Sequence, residues 1–112
     1  MNEISFDDFL KVELRVGKII SAEVFAEARQ PAYILHVDFG EQHGVKKSSA
    51  QITDHYDPED LVGKLVVGVI NFPAKQIGPL HSQCLVTGFY DKQGNVALCV
   101  PDKAVPLGSR LL

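Results

Sequence analysis

The sequence predicts an all-β domain with short helices, and its length, one alternating segment and one β-branched segment lead to this prediction. A chain of 112 residues suits one domain, residues 1–112, that buries a single core without disulfides. Residues 33–39 alternate so that one side of the extended chain is wholly apolar, which is the pattern of a half-buried strand. Residues 14–24 are rich in valine and isoleucine, which favour extended chain.

Composition limits the classes to which the protein can belong. Apolar residues make up 46% and charged residues 22%, which is typical of a globular domain, and no segment approaches the roughly 20 apolar residues of a membrane span. The acidic N-terminus, MNEISFDDFL, lacks the features of a signal peptide, so we expect a cytoplasmic protein without membrane insertion. A net charge of −3 argues against nucleic-acid binding through bulk positive charge, but leaves room for a local basic patch.

Two short helices are predicted, one at the N-terminus and one near the middle of the chain. Ser5 is placed to cap the segment FDDFL, whose aspartates lie in the first turn, where the helix dipole favours negative charge. Asp57 and Pro58 suit the N-cap and first position of the second helix, and Gly63 suits its end. The second helix is expected to be a single turn.

The remaining chain is predicted to be mostly extended. Gly17 interrupts the first strand, and a glycine there suggests a bulge or bend that lets one strand serve two sides of a barrel. Residues 45–52 begin as a strand but turn polar, which indicates a surface strand, whereas residues 64–70 indicate a buried one. The segments CLVTGFY and NVALCV predict a hairpin around the turn DKQGN, followed by an irregular tail.

This order of elements matches a five-stranded OB-fold β-barrel with an N-terminal helix and a C-terminal β extension. An SH3-like barrel or a small sandwich is the alternative, but neither explains a helix between strands three and four. OB folds bind ligands across strands two and three, beneath the connections that join strands one and two and strands four and five. The unusually apolar connection NFPAKQIGPLHSQC, residues 71–84, is therefore predicted to border the binding face.

Five segments in one order resemble a known family over nearly the whole chain. They are LRVGKI (14–19), HVDFG (36–40), YDPEDLVGK (56–64), VINFPAKQIG (69–78) and VPLGSRL (105–111). Together they resemble the free-standing tRNA-binding domain that is also appended to methionyl- and phenylalanyl-tRNA synthetases. The segments SSAQIT and NFP are similar to those of a branch of small bacterial secretion chaperones in this family. The resemblance implies a homodimer whose partners are unfolded preproteins, the secretion ATPase SecA or tRNA.

Three positions depart from the pattern of the tRNA-binding family. Lys46 stands where the family typically has arginine, Ala50 where it has serine, and Cys84 where it has methionine. Lysine supplies a point charge without the bidentate fork of arginine. These departures favour the chaperone branch over structure-specific recognition of tRNA.

The connection 71–84 and the third strand carry the predicted binding residues. Phe72, Ile77 and Leu80 are predicted to form an apolar recess for polypeptide. The Phe72 ring could instead stack on a base, but the aliphatic side chains of Ile77 and Leu80 suit an apolar pocket better than they suit a stacked base. A rim that also serves the RNA-binding alternative is predicted from Lys46, Lys47, Ser48, Asn71, Lys75 and Ser82, with Arg15 and Lys18 as candidate extensions. The structural alternatives are core packing for Phe72 and hydrogen bonds to loop backbone for Asn71.

Apolar residues near the two ends of the chain are predicted to lie at or near the dimer interface. They are Phe6, Phe9, Leu10, Leu111 and Leu112. No enzyme activity is expected, because the sequence shows no nucleophile with a base, no paired carboxylates and no phosphate loop. No cofactor or metal is expected either, since the two cysteines form no CxxC pair and the four histidines are scattered.

Overall fold

The computed structural model describes all 112 residues of the chain. The two helices are α1 (Phe6–Leu10) and α2 (Pro58–Leu61). The strands are β1 (Leu14–Val24), β2 (Tyr33–Asp38), β3 (Val45–Ala50), β4 (Leu65–Val69), β5 (Lys75–Ile77), β6 (Leu80–Ser82), β7 (Leu85–Val86), β8 (Gly88–Tyr90) and β9 (Val96–Leu98). Neither helix is long and apolar enough to cross a membrane.

Five of the strands form the barrel that the element order predicts. They make one antiparallel sheet in the order β3-β2-β1-β4-β7, while β5 pairs with β6 and β8 pairs with β9. The two edges of the sheet meet where the Gln83 N–H donates to the Lys47 carbonyl at 2.8 Å and the Gln83 side-chain oxygen accepts from the Lys47 N–H at 2.9 Å. These bonds nearly close the barrel, which confirms the OB-like all-β fold.

The long strand β1 serves both sides of the barrel, but its bulge does not lie at Gly17. The register between β1 and β2 shifts between Ile19 and Ser21. A Cβ atom at Gly17 would instead lie 2.5 Å from Cγ1 of Val37 and 2.7 Å from Cε1 of Phe39. The glycine is therefore required by close packing in the core, and the bend three residues later has no glycine.

The core contains the apolar side of β2 that the alternation predicts. Leu35, Val37 and Phe39 are fully buried, and Tyr33 is nearly so. Leu61 of α2 is fully buried in the same cluster, so α2 packs on the barrel between β3 and β4, as predicted. Asp57 is the N-cap residue of α2, but its side chain makes no capping hydrogen bond.

The N-terminal cap and the C-terminal extension both form as predicted. In α1, the Ser5 hydroxyl accepts from the Asp8 N–H at 3.1 Å, and the Asp8 carboxylate accepts from the Ser5 N–H at 3.2 Å. The C-terminal segment runs along the start of β1, where the Val16 N–H donates to the Ser109 carbonyl at 2.9 Å and the Gly108 N–H donates to the Val16 carbonyl at 2.8 Å. The C-terminal segment thus attaches to β1.

The hairpin predicted around DKQGN is the pair β8 and β9. Its turn is held by Asp91, whose carboxylate accepts from the N–H groups of Gln93 and Asn95, both at 2.9 Å. The second oxygen of Asp91 lies 2.6 Å from Nε2 of His55. This contact with His55, with the backbone hydrogen bonds, lowers the pKa of Asp91, and it ties the hairpin to the chain that precedes α2.

Candidate functional site

The side chains of β3 alternate between the interior and the outer surface of the barrel. Ser48 points inward, whereas Lys47 and Ser49 point outward beside β2. Lys47 lies opposite His36, and Ser49 lies opposite Ile34. The outward residues of β2 and β3 form the face on which OB folds bind ligands, and Lys47 is therefore placed for the predicted rim.

Ser48 differs from the prediction, because it is a core residue and not a rim residue. Only 1% of its surface is exposed. It lies against Cys84, where burial raises the pKa of the thiol to about 11, although the Ser48 hydroxyl and the Lys46 ammonium group act in the opposite direction. A hydroxyl enclosed in this way presents no surface to a ligand, so Ser48 is not a rim residue. Of the two lysines before it, Lys47 has the outward position, whereas Lys46 lies on the same side of the strand as Ser48.

The connection 71–84 is not an open loop, because it contains the hairpin of β5 and β6. Lys75 pairs with Ser82 across this hairpin. The Ser82 hydroxyl accepts from the N–H of Ser49 at 3.2 Å, which joins the hairpin to the edge of β3. Lys47, Lys75 and Ser82, three of the predicted rim residues, are thereby brought to one side of the barrel.

The aliphatic residues of this hairpin pack on the protein itself. Leu80 is 7% exposed and lies in a small cluster with Phe25 and Ala32, apart from the main core. Ile77 and Ile34 are half-buried against the same cluster. The prediction that Leu80 lines an apolar recess for a ligand is therefore wrong. Leu80 anchors the hairpin to the connection between β1 and β2, and its own side chain is buried there.

Asn71 and Phe72, at the start of the same connection, have different surroundings. The Asn71 side chain accepts from the N–H of Glu13 at 3.0 Å and donates to the carbonyl of Lys11 at 2.8 Å. Asn71 thus satisfies loop backbone, which is the structural alternative considered for it. Phe72 is 54% exposed, so its ring is available at the surface.

Arg15, a candidate extension of the basic rim, already has hydrogen-bond partners within the protein. Its guanidinium donates to Glu13 at 2.9 Å and to the Gly108 carbonyl at 3.1 Å. Arg110 donates to the other carboxylate oxygen of Glu13 and, at 2.5 Å, to the carbonyl of Leu10. The hydrogen bonds from Arg15 and Arg110 lower the pKa of Glu13. We name these three side chains, Glu13, Arg15 and Arg110, the terminal clamp, since they join α1 and the C-terminal segment to β1.

The residues predicted for the dimer interface lie at the surface. Phe6, Leu10, Leu111 and Leu112 are exposed, and α1 buries none of its residues. The rings of Phe6 and Phe9 lie with their centroids 6.1 Å apart. The single chain therefore leaves Phe6 and Leu10 of α1 uncovered, while Phe9 is half-buried.

A cleft beside the free end of β3 was not predicted from the sequence. It has a volume of about 750 Å³, and its walls are residues 49–54 on one side and residues 85–90 on the other. Its remaining lining residues are Gln30, Pro31, Gly94 and Val96. Asp54 is the only charged residue in the lining.

Three apolar side chains at this cleft are at least half exposed. They belong to Leu85, Phe89 and Tyr90, which are 50%, 66% and 81% exposed. Two adjacent exposed aromatic residues in a hairpin are unusual, because a strand that packs on a core normally alternates between apolar and polar positions. The two adjacent aromatic residues in the segment CLVTGFY are the sequence signal for this site, but the segment was interpreted only as one strand of a hairpin.

The barrel and its outward face define the chain as an OB-type binding domain, and comparison with known proteins gives its family. The family described as "Putative tRNA binding domain" matches residues 14–110, so the chain belongs to this family. The methionine–tRNA ligase of Thermococcus kodakarensis is 38% identical over 111 residues, which are 99% of this chain and 14% of the ligase. The chain thus corresponds to a small part of the ligases that it matches.

Two solved structures named CsaA are similar to the chain over its whole length. Chaperone CsaA from Bacillus anthracis str. Ames is 45% identical, with a TM-score of 0.91, and the match covers 99% of this chain and 100% of that one. The CsaA chaperone protein from Picrophilus torridus is 41% identical, with a TM-score of 0.91 and coverage of 98% and 100%. These likenesses confirm the predicted resemblance to the chaperone branch of the family.

Proposed function

We propose that the protein is a CsaA-like secretion chaperone, which binds unfolded preproteins in the cytoplasm without ATP and without catalysis. The observation that supports this most is the match over the full length of two proteins named CsaA chaperone. The methionine–tRNA ligases, by contrast, match over a small part of their length. Exposed apolar residues beside a cleft with a single charge suit non-polar segments of unfolded chain.

Two surfaces are proposed to contact polypeptide. On one, Phe72 offers an exposed ring and Ile77 a half-buried side chain, while Lys46, Lys47 and Lys75 steer the approach of acidic segments. On the other, the cleft offers Leu85, Phe89 and Tyr90. We propose that SecA is a further partner, in keeping with the secretion role.

We propose that the protein acts as a homodimer through α1 and the C-terminal leucines. The exposed apolar side chains of Phe6, Leu10, Leu111 and Leu112 support this proposal, because a second copy would remove them from water. Phe9 completes the apolar side of α1. A dimer would carry every polypeptide site twice, which raises the avidity for a long extended chain.

Binding of tRNA is the second candidate function, and two observations favour it. The hairpin of β5 and β6 brings Lys75 and Ser82 to the same side of the barrel as Lys47, on the face where OB folds bind single-stranded nucleic acid. The family match supports the same candidate. Lys46 would add a further charge for phosphate.

A displacement experiment distinguishes the two functions. A labelled unfolded preprotein is bound to the protein, and its displacement by tRNA is measured over a series of salt concentrations. We expect preprotein binding to change little with salt, whereas each phosphate contact made by a lysine adds about one unit to the salt slope of RNA binding. The variants are Phe72→Ala and the pair Lys46→Glu with Lys47→Glu. Val62→Ala, an exposed change in the chain that follows α2, is the control.

The chaperone function predicts that the lysine pair abolishes tRNA binding and leaves most preprotein binding intact. Phe72→Ala is expected to weaken preprotein binding severalfold. If the lysine changes abolish the binding of both ligands and Phe72→Ala has no effect, the chaperone function is wrong and the RNA-binding candidate replaces it.

A further inference from the structure

We propose that the cleft between residues 49–54 and 85–90 binds an extended segment of polypeptide as an added β-strand. The added strand would pair through its main chain with the free edge that continues β3 and with the free edge of β8. This inference rests on the proposed polypeptide-binding function and specifies its site and its mode of recognition.

The pattern of hydrogen bonds along β3 shows which main-chain groups face the free edge. The Phe39 N–H donates to the Gly44 carbonyl at 3.0 Å, and this pair fixes the alternation between β2 and β3. Lys47 and Ser49 consequently turn their N–H groups away from β2, where they bond to the side chains of Gln83 and Ser82. Gln51, two residues after Ser49, is the next residue whose N–H is turned away from β2 by this alternation.

Gln51 lies in the wall of the cleft with its main chain unpaired. Neither its N–H nor its carbonyl takes part in a hydrogen bond within the chain. The edge of β3 is thus occupied by Gln83 and Ser82 up to Ser49 and becomes free where the cleft begins. An unpaired, exposed strand edge is the usual acceptor of an added strand.

The opposite wall of the cleft presents a second free edge. In the hairpin, the Asp91 N–H donates to the Asn95 carbonyl at 2.8 Å, and the Cys99 N–H donates to the Thr87 carbonyl at 3.0 Å. With this alternation Phe89 exchanges its hydrogen bonds with β9, and the residues on either side of it, Gly88 and Tyr90, turn their main-chain groups away from β9. Gly88 and Tyr90 both line the cleft.

The chemistry of the lining favours polypeptide over nucleic acid. The only charge is the carboxylate of Asp54, which repels phosphate. Leu85, Phe89 and Tyr90 offer apolar surface to alternate side chains of an added strand, while the main-chain groups of the two walls are common partners for any sequence. Recognition through the main chain explains how one cleft accepts many unfolded segments without a sequence motif.

The test compares peptides that differ only in their main-chain donors. The probe is a short labelled peptide of valine, threonine and serine with one lysine, measured by fluorescence anisotropy on the full chain. Two matched peptides carry N-methyl groups at odd or at even positions, so they keep every side chain and lose half of the N–H donors. Since each hydrogen bond contributes about fivefold to binding, we expect either methylated peptide to bind at least tenfold more weakly.

Two variants of one residue test the wall formed by β8. Tyr90→Pro removes an N–H that points away from β9, a change that edge strands tolerate. Tyr90→Ala removes the ring and keeps the N–H. We expect Tyr90→Pro to bind the unmethylated peptide about fivefold more weakly than Tyr90→Ala, and to lose its discrimination against one of the two methylated peptides.

The possible outcomes separate the added strand from the broader function. If all three peptides bind equally well, the protein binds polypeptide but the added strand is wrong. If neither the peptides nor unfolded preprotein bind, the proposed chaperone function is wrong and the inference is wrong with it. If the NMR amide signals of Gln51 and Tyr90 shift on dilution without peptide, a second copy of the chain occupies the cleft and the inference is wrong.

Discussion

At the scale of single residues, one aromatic side chain packs against two glycines and leaves no room for a side chain at either position. Phe39 is fully buried, and its ring occupies the space that a side chain at Gly17 or at Gly68 would need. A Cβ atom at Gly68 would lie 2.8 Å from Cζ of Phe39. Protein interiors are too closely packed to absorb such a contact without movement, so Gly68 follows from the position of the ring, and Gly17 from the ring together with Val37.

We predict that Gly17→Ala lowers the free energy of unfolding by about 1–3 kcal/mol, because the added methyl group overpacks the core against Val37 and Phe39. Chemical denaturation measures the change. Lys18→Ala, at the exposed neighbouring position, is expected to change stability by less than about 0.5 kcal/mol. In the double variant with Phe39→Leu, the two losses should be less than additive. Full additivity would mean that the ring is not the cause.

The two cysteines are predicted to react at very different rates with a thiol reagent. Cys84 is 6% exposed and burial raises its pKa to about 11, whereas Cys99 is partly exposed. Because the thiolate is the reactive form, we expect alkylation of Cys84 at neutral pH to be at least ~10-fold slower than that of Cys99. Mass spectrometry of the native protein distinguishes the two sites. Unfolding in denaturant should equalise them, and equal rates in the native state would contradict the burial of Cys84.

At the scale of elements, features that depend on residues close together in the sequence were predicted, whereas features that depend on distant residues were not. The N-cap of α1 at Ser5 and the turn of the β8 and β9 hairpin depend on residues within a few positions of one another, and both were predicted, although the reciprocal hydrogen bond to the Asp8 carboxylate was not. The hairpin of β5 and β6 was missed, because its burial depends on contacts of Leu80 with Phe25 and Ala32, which are far away in the sequence. Ser48 was misassigned for the same reason: pattern alone does not show that β3 turns it toward Cys84.

The terminal clamp gives the attachment of α1 a predictable dependence on pH. The pKa of Glu13 in the folded protein lies below its ordinary value of 4.5, so its ion pairs contribute to stability above that pH and are lost as the pH falls through the folded pKa. We predict that Glu13→Gln lowers the thermal midpoint at neutral pH and that the difference from the wild type shrinks below pH 4.5. Thermal unfolding followed by circular dichroism measures both.

The matched control for the clamp is Glu3→Gln, which changes an exposed glutamate in the same N-terminal region. It is expected to follow the wild type at every pH, since Glu3 forms no ion pair. A difference between Glu13→Gln and the wild type that persists undiminished at low pH would show that packing, and not the charge of Glu13, holds the two ends of the chain.

At the scale of the whole molecule, the candidate ligand surfaces are separated by their charge. The basic side carries Lys47 and Lys75 beside the β5 and β6 hairpin, whereas the cleft has the single charge of Asp54. The sequence predicted the lysines from their strand and the fold from the order of elements. It did not reveal the cleft, because residues 49–54 and 85–90 meet only when the barrel nearly closes. The basic side is proposed for RNA and for acidic segments of polypeptide, whereas the cleft is proposed for polypeptide alone.

The proposed dimer predicts a solution mass of twice the 12.3 kDa of one chain at micromolar concentration. The pair Phe6→Glu with Leu10→Glu is expected to produce a folded monomer, because two carboxylates replace apolar groups that the interface would desolvate, while α1 buries no residue in the single chain. Val62→Glu, at an exposed position after α2, should stay dimeric. Size-exclusion chromatography with light scattering measures the mass. A monomeric wild type, or dissociation by Val62→Glu alone, would place the interface elsewhere or remove it.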